Sequence, residues 1–167
     1  VDLKKRVAIK CLLDDVQGFE EVKRRFQQEG EAAARIHHPN VVTVFDVGVE
    51  SSIAYIVMEF LEGVDLQDRL KAGPLTGTQL VEIMLPVCSA ISAAHAAGVF
   101  HRDIKPANIF LARNPLGGAP TPKLLDFGIS KISSDPTSVA TVSSTVLGTA
   151  QYLAPEQALG LKGFNVK

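Results

Sequence analysis

The stretch HRDIKPANIF, residues 101–110, places a carboxylate, two cations and an amide within eight positions of the chain. Asp103 is a group that can orient a hydroxyl or accept its proton. Asn108 offers an amide oxygen, a hard ligand of the kind that Mg²⁺ prefers, while Arg102 and Lys105 supply positive charge. The stretch therefore indicates a reaction centre whose chemistry depends on what the rest of the 167-residue chain adds.

Four further elements lie at separations that make chance an unlikely explanation. They are VAIK (Val7–Lys10), Glu29 in the segment that follows it, DFG (Asp126–Gly128) and APE (Ala154–Glu156). Each is a weak signal alone, since a triplet such as DFG often occurs by chance. All of them in this order, with a predicted helix after the first and a Ser/Thr-rich segment between the last two, are highly specific.

On these motifs the chain resembles the protein kinase family, specifically the bacterial Ser/Thr kinases that share the eukaryotic-type fold. Lys105, two residues after Asp103, is typical of the Ser/Thr type, and GTAQYLAPEQ (Gly148–Gln157) resembles the bacterial branch. The similarity extends over nearly the whole chain. It implies transfer of the ATP γ-phosphate to Ser or Thr hydroxyls of protein substrates, with ATP and Mg²⁺ as cofactors.

The resemblance implies a role for each polar residue of the motifs. Asp103 is the expected base or orienting group for the substrate hydroxyl, and Lys105 would neutralise the γ-phosphate during transfer. Asn108 and Asp126 are the expected Mg²⁺ ligands. Lys10, on a predicted strand, would hold the α- and β-phosphates with a fixed cation.

Glu29 is the expected partner of Lys10 within the nucleotide site. It lies ten residues before Pro39, where the family's helix carries its lysine-pairing glutamate. Glu31 is only two residues away, on a different face of the same predicted helix. Register with the helix-ending HPN sequence favours Glu29, whereas helical periodicity alone does not choose between the two.

The resemblance also implies a slot for the adenine base and the ribose, lined by apolar side chains and backbone hydrogen-bonding groups. Asp65, seven residues past the gatekeeper position, is the expected ribose ligand. The remaining expected contacts are a roof, a floor, the gatekeeper and two backbone hinge positions: Ala8, Phe110, Met58, Glu59 and Leu61.

The pattern of apolar residues predicts strands and one helix first and mostly helices afterwards, which is typical of an α+β chain with two lobes. We expect residues 1–60 to form the remainder of a small lobe and the start of the hinge, and residues 61–167 the first part of a large lobe. The predicted elements are strands at 6–12, 41–50, 52–60, 109–112 and 123–125, and helices at 19–35, 66–72 and 78–97.

Composition excludes several other classes of protein. The formal net charge of −1 and the absence of Trp give no basis for nucleic-acid binding. Two cysteines without a CxxC pair predict reduced, buried thiols and a cytoplasmic location. The apolar segment Leu80–Phe100 is interrupted by Glu82, Pro86 and His95, so we expect a helix buried in the protein and no membrane segment in this chain. Anchoring of the parent protein through a segment outside this chain stays open.

The Ser/Thr-rich segment 133–145 lies between DFG and APE, where the family is regulated by phosphorylation. Autophosphorylation is expected there, and Arg102 is the expected ligand for the added phosphate. Thr149, in contrast, is expected to contact Asp103 and Lys105. The acceptors that we favour within the segment are Thr141, Ser143, Ser144 and Thr145.

The sequence departs from the family pattern at both ends. Only nine residues, none of them glycine, precede Lys10, so the family's Gly-rich phosphate loop is missing from the chain. Eleven residues follow Glu156, too few for the later helices. We therefore expect a partial kinase domain that is inactive in isolation.

Two other functions remain as alternatives. One is a non-catalytic interaction module derived from a kinase, which the truncation favours but the intact set of polar residues does not. The other is a small-molecule phosphotransferase with a related HxD motif. Lys105 and the DFG–APE order disfavour that second alternative.

Overall fold

The chain folds around two small antiparallel sheets, one on each side of the segment around residue 60. The computed structural model describes residues 5–12, 19–50, 53–127, 151–152 and 154–155, without the side chains at 19, 21, 22, 25 and 29. The predicted phosphorylation segment, Thr149, Gly128 and Glu156 lie outside the described residues. So does the side chain of Glu29.

The first sheet contains β1 (Val7–Leu12), β2 (Val44–Glu50) and β3 (Ile53–Glu59), in the order β1-β3-β2. Helix α1 (Phe19–Ala34) packs against it through Phe26, which is buried with Ala54 and Ile56. The amphipathic pattern that predicted this helix thus corresponds to a real buried stripe, because residues at helical spacing share one face.

The second sheet contains β4 (Gly63–Asp65), β5 (Ile109–Ala112) and β6 (Thr121–Leu124), in the order β4-β5-β6. Two α-helices, α2 (Leu66–Lys71) and α3 (Gly77–Ala96), accompany it, with a short 3₁₀ helix at Pro106–Asn108. Strands and one helix come first and helices dominate afterwards, so the α+β prediction is confirmed.

Strand β4 is a difference from the prediction, which placed no strand between Gly63 and the helix expected at 66–72. Gly63 has a φ angle of +151°, and a Cβ atom there would lie 2.1 Å from the carbonyl oxygen of Leu111. Only glycine permits this close approach of β4 to β5. A three-residue strand of this kind is defined by its partner, which explains why local periodicity does not predict it.

Helix α3 begins one residue earlier than predicted because Thr76 caps it. The Thr76 side chain accepts a hydrogen bond from the backbone of Gln79, and the Gln79 side chain accepts one from the backbone of Thr76. This reciprocal capping box satisfies two backbone donors that the first turn would otherwise leave unpaired. Gly98, with φ +73°, follows the C-cap residue Ala97 at the other end.

The prediction of a buried helix holds for one face of α3 only. Its buried residues are Ile83, Val87, Ala90 and Ala94. Leu80, Val81 and Leu85 are exposed. Among the described residues, α3 is the one helix that is long and apolar enough to cross a membrane by length and composition alone.

Both cysteines are free thiols, as predicted, but the expectation that they are buried is wrong. Cys11 and Cys88 are exposed. In β1 the side chains alternate, and Cys11 lies on the outer face with Val7 and Ile9, whereas Ala8 and Lys10 lie on the more protected face. Small apolar size alone does not decide which face of a strand a cysteine occupies.

The two sheets are joined through Leu124 at the end of β6. Its backbone accepts a hydrogen bond from Val42 (3.0 Å) and donates one to the carbonyl oxygen of Asn40 (2.8 Å). Val41 forms a parallel bridge with Leu124, and both side chains are almost completely buried. The residues that lead into β2 are therefore fixed to the strand that precedes Asp126.

Candidate active site

Three of the predicted catalytic and metal-binding residues meet in one hydrogen-bonded cluster. The Asn108 amide nitrogen donates to the Asp103 backbone oxygen (2.8 Å) and to Asp103 Oδ2 (3.1 Å). Lys105 Nζ lies 2.9 Å from the same Oδ2. The 3₁₀ turn at Pro106–Asn108 brings Asn108 back over Asp103, so a local fold of the HRDIKPAN sequence creates the cluster.

His101 is buried next to this cluster and is hydrogen-bonded to the backbone of Asp103. One ring nitrogen, Nε2, donates to the carbonyl oxygen of Leu125 at 2.7 Å, which leaves Nδ1 to accept the Asp103 backbone N–H at 3.3 Å. The ring also contacts Phe127, with centroids 4.8 Å apart. His101 therefore links the catalytic loop to the DFG motif through Leu125 and Phe127.

Burial lowers the pKa of His101, an effect that its bond to Leu125 and the carboxylates of Asp103 and Asp126 oppose only in part. The folded protein therefore binds this proton at lower pH than the unfolded chain, whose histidine titrates near 6.5. Below that pH the unfolded state takes up more protons, so the contribution of His101 to stability falls as pH falls.

We expect this pH dependence to weaken in His101→Gln, which keeps an N–H donor but does not titrate. The free energy of unfolding of the unsubstituted protein should decrease from about pH 7.5 to about pH 5.5, with a shallower slope for the variant. Urea unfolding at several pH values measures both slopes. Parallel slopes would show that His101 does not titrate differently in the folded and unfolded states.

Lys10 and Asp126 form an ion pair between the first sheet and the segment that follows the second sheet. Lys10 Nζ lies 2.8 Å from Asp126 Oδ1, although 116 residues separate them in sequence. Their side chains are 38% and 46% exposed, so solvent screens this pair and it contributes little stability of its own. Asp126 has a positive φ of 42°.

Of the residues predicted to surround the base and the ribose, all but Leu61 lie on the two sheets. Ala8 pairs with Met58 between β1 and β3, and both are half-buried. Phe110 in β5 pairs with Asp65 on one side. Leu61 follows β3 by two residues.

The sequence of this chain matches the protein kinase domain family over residues 1–164. The chain belongs to the protein kinase family. It is 44% identical over 161 residues to a probable serine/threonine-protein kinase of Corynebacterium efficiens, and 40% identical over 166 residues to the serine/threonine-protein kinase PknB of Mycobacterium leprae. These alignments cover 93% and 96% of this chain but 24% and 26% of the relatives.

Solved kinase structures have the same fold. The crystal structure of the Mycobacterium tuberculosis PknI kinase domain matches with a TM-score of 0.68 and 30% identity. The match covers 94% of this chain and 55% of that one. The chain thus spans about a quarter of the length of its curated relatives and about half of a solved kinase domain.

The pairing of Lys10 with Glu29, which the kinase fold leads us to expect, stays a prediction. The structure gives Lys10 an ion pair with Asp126, and the side chain of Glu29 lies outside the described residues. Glu29 itself belongs to α1, the helix that packs on the first sheet. The preference for Glu29 over Glu31 as the partner of Lys10 is therefore untested.

Sequence reasoning missed the side-chain role of Glu59, for which it predicted only backbone contacts. Glu59 Oε1 accepts a hydrogen bond from the backbone of Thr43 (2.8 Å) and lies 2.6 Å from Lys123 Nζ. Burial acts to raise the pKa of Glu59, but the bonds from Lys123 and Thr43 outweigh it and hold the pKa below its ordinary value. No local signal predicts a pair whose members are 64 residues apart.

Asp65 also has a contact that the sequence did not predict. Its carboxylate accepts a hydrogen bond from the backbone of Asp68 at 2.7 Å and caps α2. This bond occupies Oδ1. An N-cap aspartate is held in a fixed rotamer by such a bond, so the cap orients the carboxylate at the end of β4.

Proposed function

We propose that this chain is the catalytic part of a Ser/Thr protein kinase that transfers the γ-phosphate of ATP to Ser or Thr hydroxyls of proteins. The observation that carries the proposal is the cluster of Asp103, Lys105 and Asn108. Names of the bacterial relatives support the Ser/Thr class. Lys10 on β1 and Asp126, which follows β6, complete the set.

Asp103 is the residue that would orient the acceptor hydroxyl and take its proton. Its Oδ2 forms an ion pair with Lys105 and accepts a hydrogen bond from Asn108, so the carboxylate is held in one orientation before any substrate binds. Fixed groups of this kind contribute to the rate because little reorganisation remains for the reaction step. Lys105, next to the same oxygen, would neutralise the phosphoryl group as it moves to the hydroxyl.

Asn108 and Asp126 are chemically suited to hold Mg²⁺. Because the Asn108 amide nitrogen is committed to Asp103, its side-chain oxygen is the atom that it can offer to a cation. Among the described residues, no group of three or more His, Cys, Asp or Glu side chains forms a protein-only metal site. Mg²⁺ takes few protein ligands and fills its remaining positions with phosphate oxygens and water. When bound, it would neutralise charge on the phosphates.

The Lys10–Asp126 ion pair would separate when nucleotide binds. Lys10 would turn to the α- and β-phosphates and Asp126 to the metal, so each would exchange its present partner for a ligand of the same charge sign. The pair is half-exposed, which keeps the cost of this exchange small. Glu29 is the residue that we propose to hold Lys10 in that state.

The base would lie between the two sheets, with Ala8 above it and Phe110 below it. Met58 would limit the depth of the slot, and the backbone of Glu59 and Leu61 would bind the base edge. Asp65 would bind the ribose. In this proposal residues 1–60 belong to the small lobe and the start of the hinge, and residues 61–167 to the large lobe. The kinase would act on protein substrates in the cytoplasm and would phosphorylate its own segment 133–145.

Transfer of labelled phosphate from ATP to a generic basic protein tests this function. The 167-residue chain and a form extended at both ends by its flanking coding sequence should be assayed in parallel, with and without Mg²⁺. The expected result is phosphoserine or phosphothreonine formed by the extended form only with Mg²⁺, and little or none formed by the 167-residue chain. Nucleotide binding without transfer by either form would instead support a non-catalytic interaction module.

A further inference from the structure

The Glu59–Lys123 ion pair is better protected from solvent than the Lys10–Asp126 ion pair. Its side chains are 21% and 14% exposed, against 46% and 38% for Asp126 and Lys10. Glu59 is also bonded to Thr43 in both directions, because its backbone N–H donates to the Thr43 carbonyl oxygen at 2.9 Å. Two other segments of the chain, at Thr43 and at Lys123, therefore meet at one residue of the predicted hinge.

Lys123 belongs to a row of three side chains across the second sheet. Asp65 pairs with Phe110, and Phe110 pairs with Lys123, so all three point to the same face of β4-β5-β6. Phe110 is the proposed floor of the base slot and Asp65 the proposed ribose ligand. Lys123 therefore lies at the end of the row opposite Asp65, and its side chain binds the hinge residue Glu59.

We propose that Lys123 is a positioning residue that fixes the hinge and thereby sets the preference of the site for adenine. This inference rests on the proposed function. Adenine presents an amino group where guanine presents a carbonyl oxygen. A hinge carbonyl oxygen held in one orientation accepts a hydrogen bond from the adenine amino group and repels the guanine oxygen. Lys123 holds the Glu59 carboxylate while Thr43 holds its backbone, and neither contact has to break for nucleotide to bind.

Loss of the Lys123 charge removes one of the two groups that hold the Glu59 side chain. A carboxylate that is largely protected from water and without a cation moves toward solvent if it can, and the hinge backbone moves with it. The hydrogen bonds to adenine weaken in that case, whereas contacts to ribose and phosphates do not depend on the hinge. The discrimination between bases should therefore fall more than nucleotide affinity as a whole.

The test is the ratio of the dissociation constants for Mg·GDP and Mg·ADP, measured by calorimetry on the full chain. Lys123→Met should lower this ratio by about tenfold, the equivalent of one hydrogen bond. Lys123→Arg keeps the charge and should retain the ratio. Glu59→Gln, which keeps an acceptor oxygen for Thr43, should lower it and serves as a second variant if Lys123→Met does not fold.

Lys71→Met is the matched control, because Lys71 also lies 2.6 Å from a carboxylate, that of Asp68, but in an exposed pair that does not involve the hinge. An unchanged ratio is expected for it. Equal weakening of both nucleotides by Lys123→Met and Glu59→Gln, or no change in either, would overturn the inference. An unsubstituted protein that binds neither nucleotide would instead contradict the proposed function itself.

Discussion

Replacing Asp103 by asparagine is expected to lower the rate of phosphoryl transfer by about 10²- to 10⁴-fold, the contribution of a positioned general base. The asparagine keeps an oxygen that can accept the Asn108 and Lys105 hydrogen bonds, so the cluster should retain its shape. What it loses is the negative charge and the ability to take a proton from the acceptor hydroxyl. Nucleotide affinity should stay unchanged, because the proposed nucleotide contacts lie elsewhere.

The measurement is the initial rate at which the extended form transfers labelled phosphate to a basic protein, together with its dissociation constant for Mg·ADP. Glu82→Gln, which removes an exposed carboxylate on α3, is the matched control and should leave both quantities unchanged. A fall in rate that is matched by an equal loss of nucleotide binding would indicate that Asp103 maintains the fold of the loop. A rate equal to that of the unsubstituted protein would exclude Asp103 as the base.

The parts of this site that the sequence predicted best are those formed by neighbouring residues. Asp103, Lys105 and Asn108 lie within six positions, and one short 3₁₀ turn is enough to bring them together. The local pattern also predicted helix α1, which ends at Ala34, one residue before the predicted end. Such features depend on short-range rules of backbone geometry, which a single sequence contains.

Contacts between distant segments could not be predicted in the same way. The pairing of Lys10 with Asp126 and of Glu59 with Lys123 depends on how the two sheets meet through Leu124. Strand β4 forms only because β5 lies beside it. In the sequence alone, Gly63 is equally typical of a loop and of a helix boundary. Charge and composition supply candidates for such pairs but do not choose among them.

The exposed face of α3 illustrates a related limit. Periodicity showed that the segment is helical and apolar, but Leu80, Val81 and Leu85 are exposed while Val87 and Ala90 are buried. Hydrophobicity gives the total amount of apolar surface on a helix. Which part of that surface is covered depends on the elements that pack against it, here the second sheet and the residues before β2.

The second large effect concerns stability, and we expect it from Phe127→Ala. Phe127 is completely buried and packs in the main core, with its ring against His101. Truncation of a buried phenylalanine to alanine costs about 3–5 kcal/mol, because transfer energy is lost and a cavity remains. A domain of ordinary stability, about 5–15 kcal/mol, would lose a large fraction of its folding free energy.

Urea unfolding followed by circular dichroism measures this loss as a fall in the midpoint at an unchanged m-value. Phe45→Ala is the matched control, since Phe45 is 44% exposed on β2 and should cost less than about 1 kcal/mol. Phe127→Leu, which keeps most of the buried volume, should fall between the two. A Phe127→Ala protein as stable as the Phe45→Ala control would mean that the DFG phenylalanine does not hold His101 and the catalytic loop in the folded core.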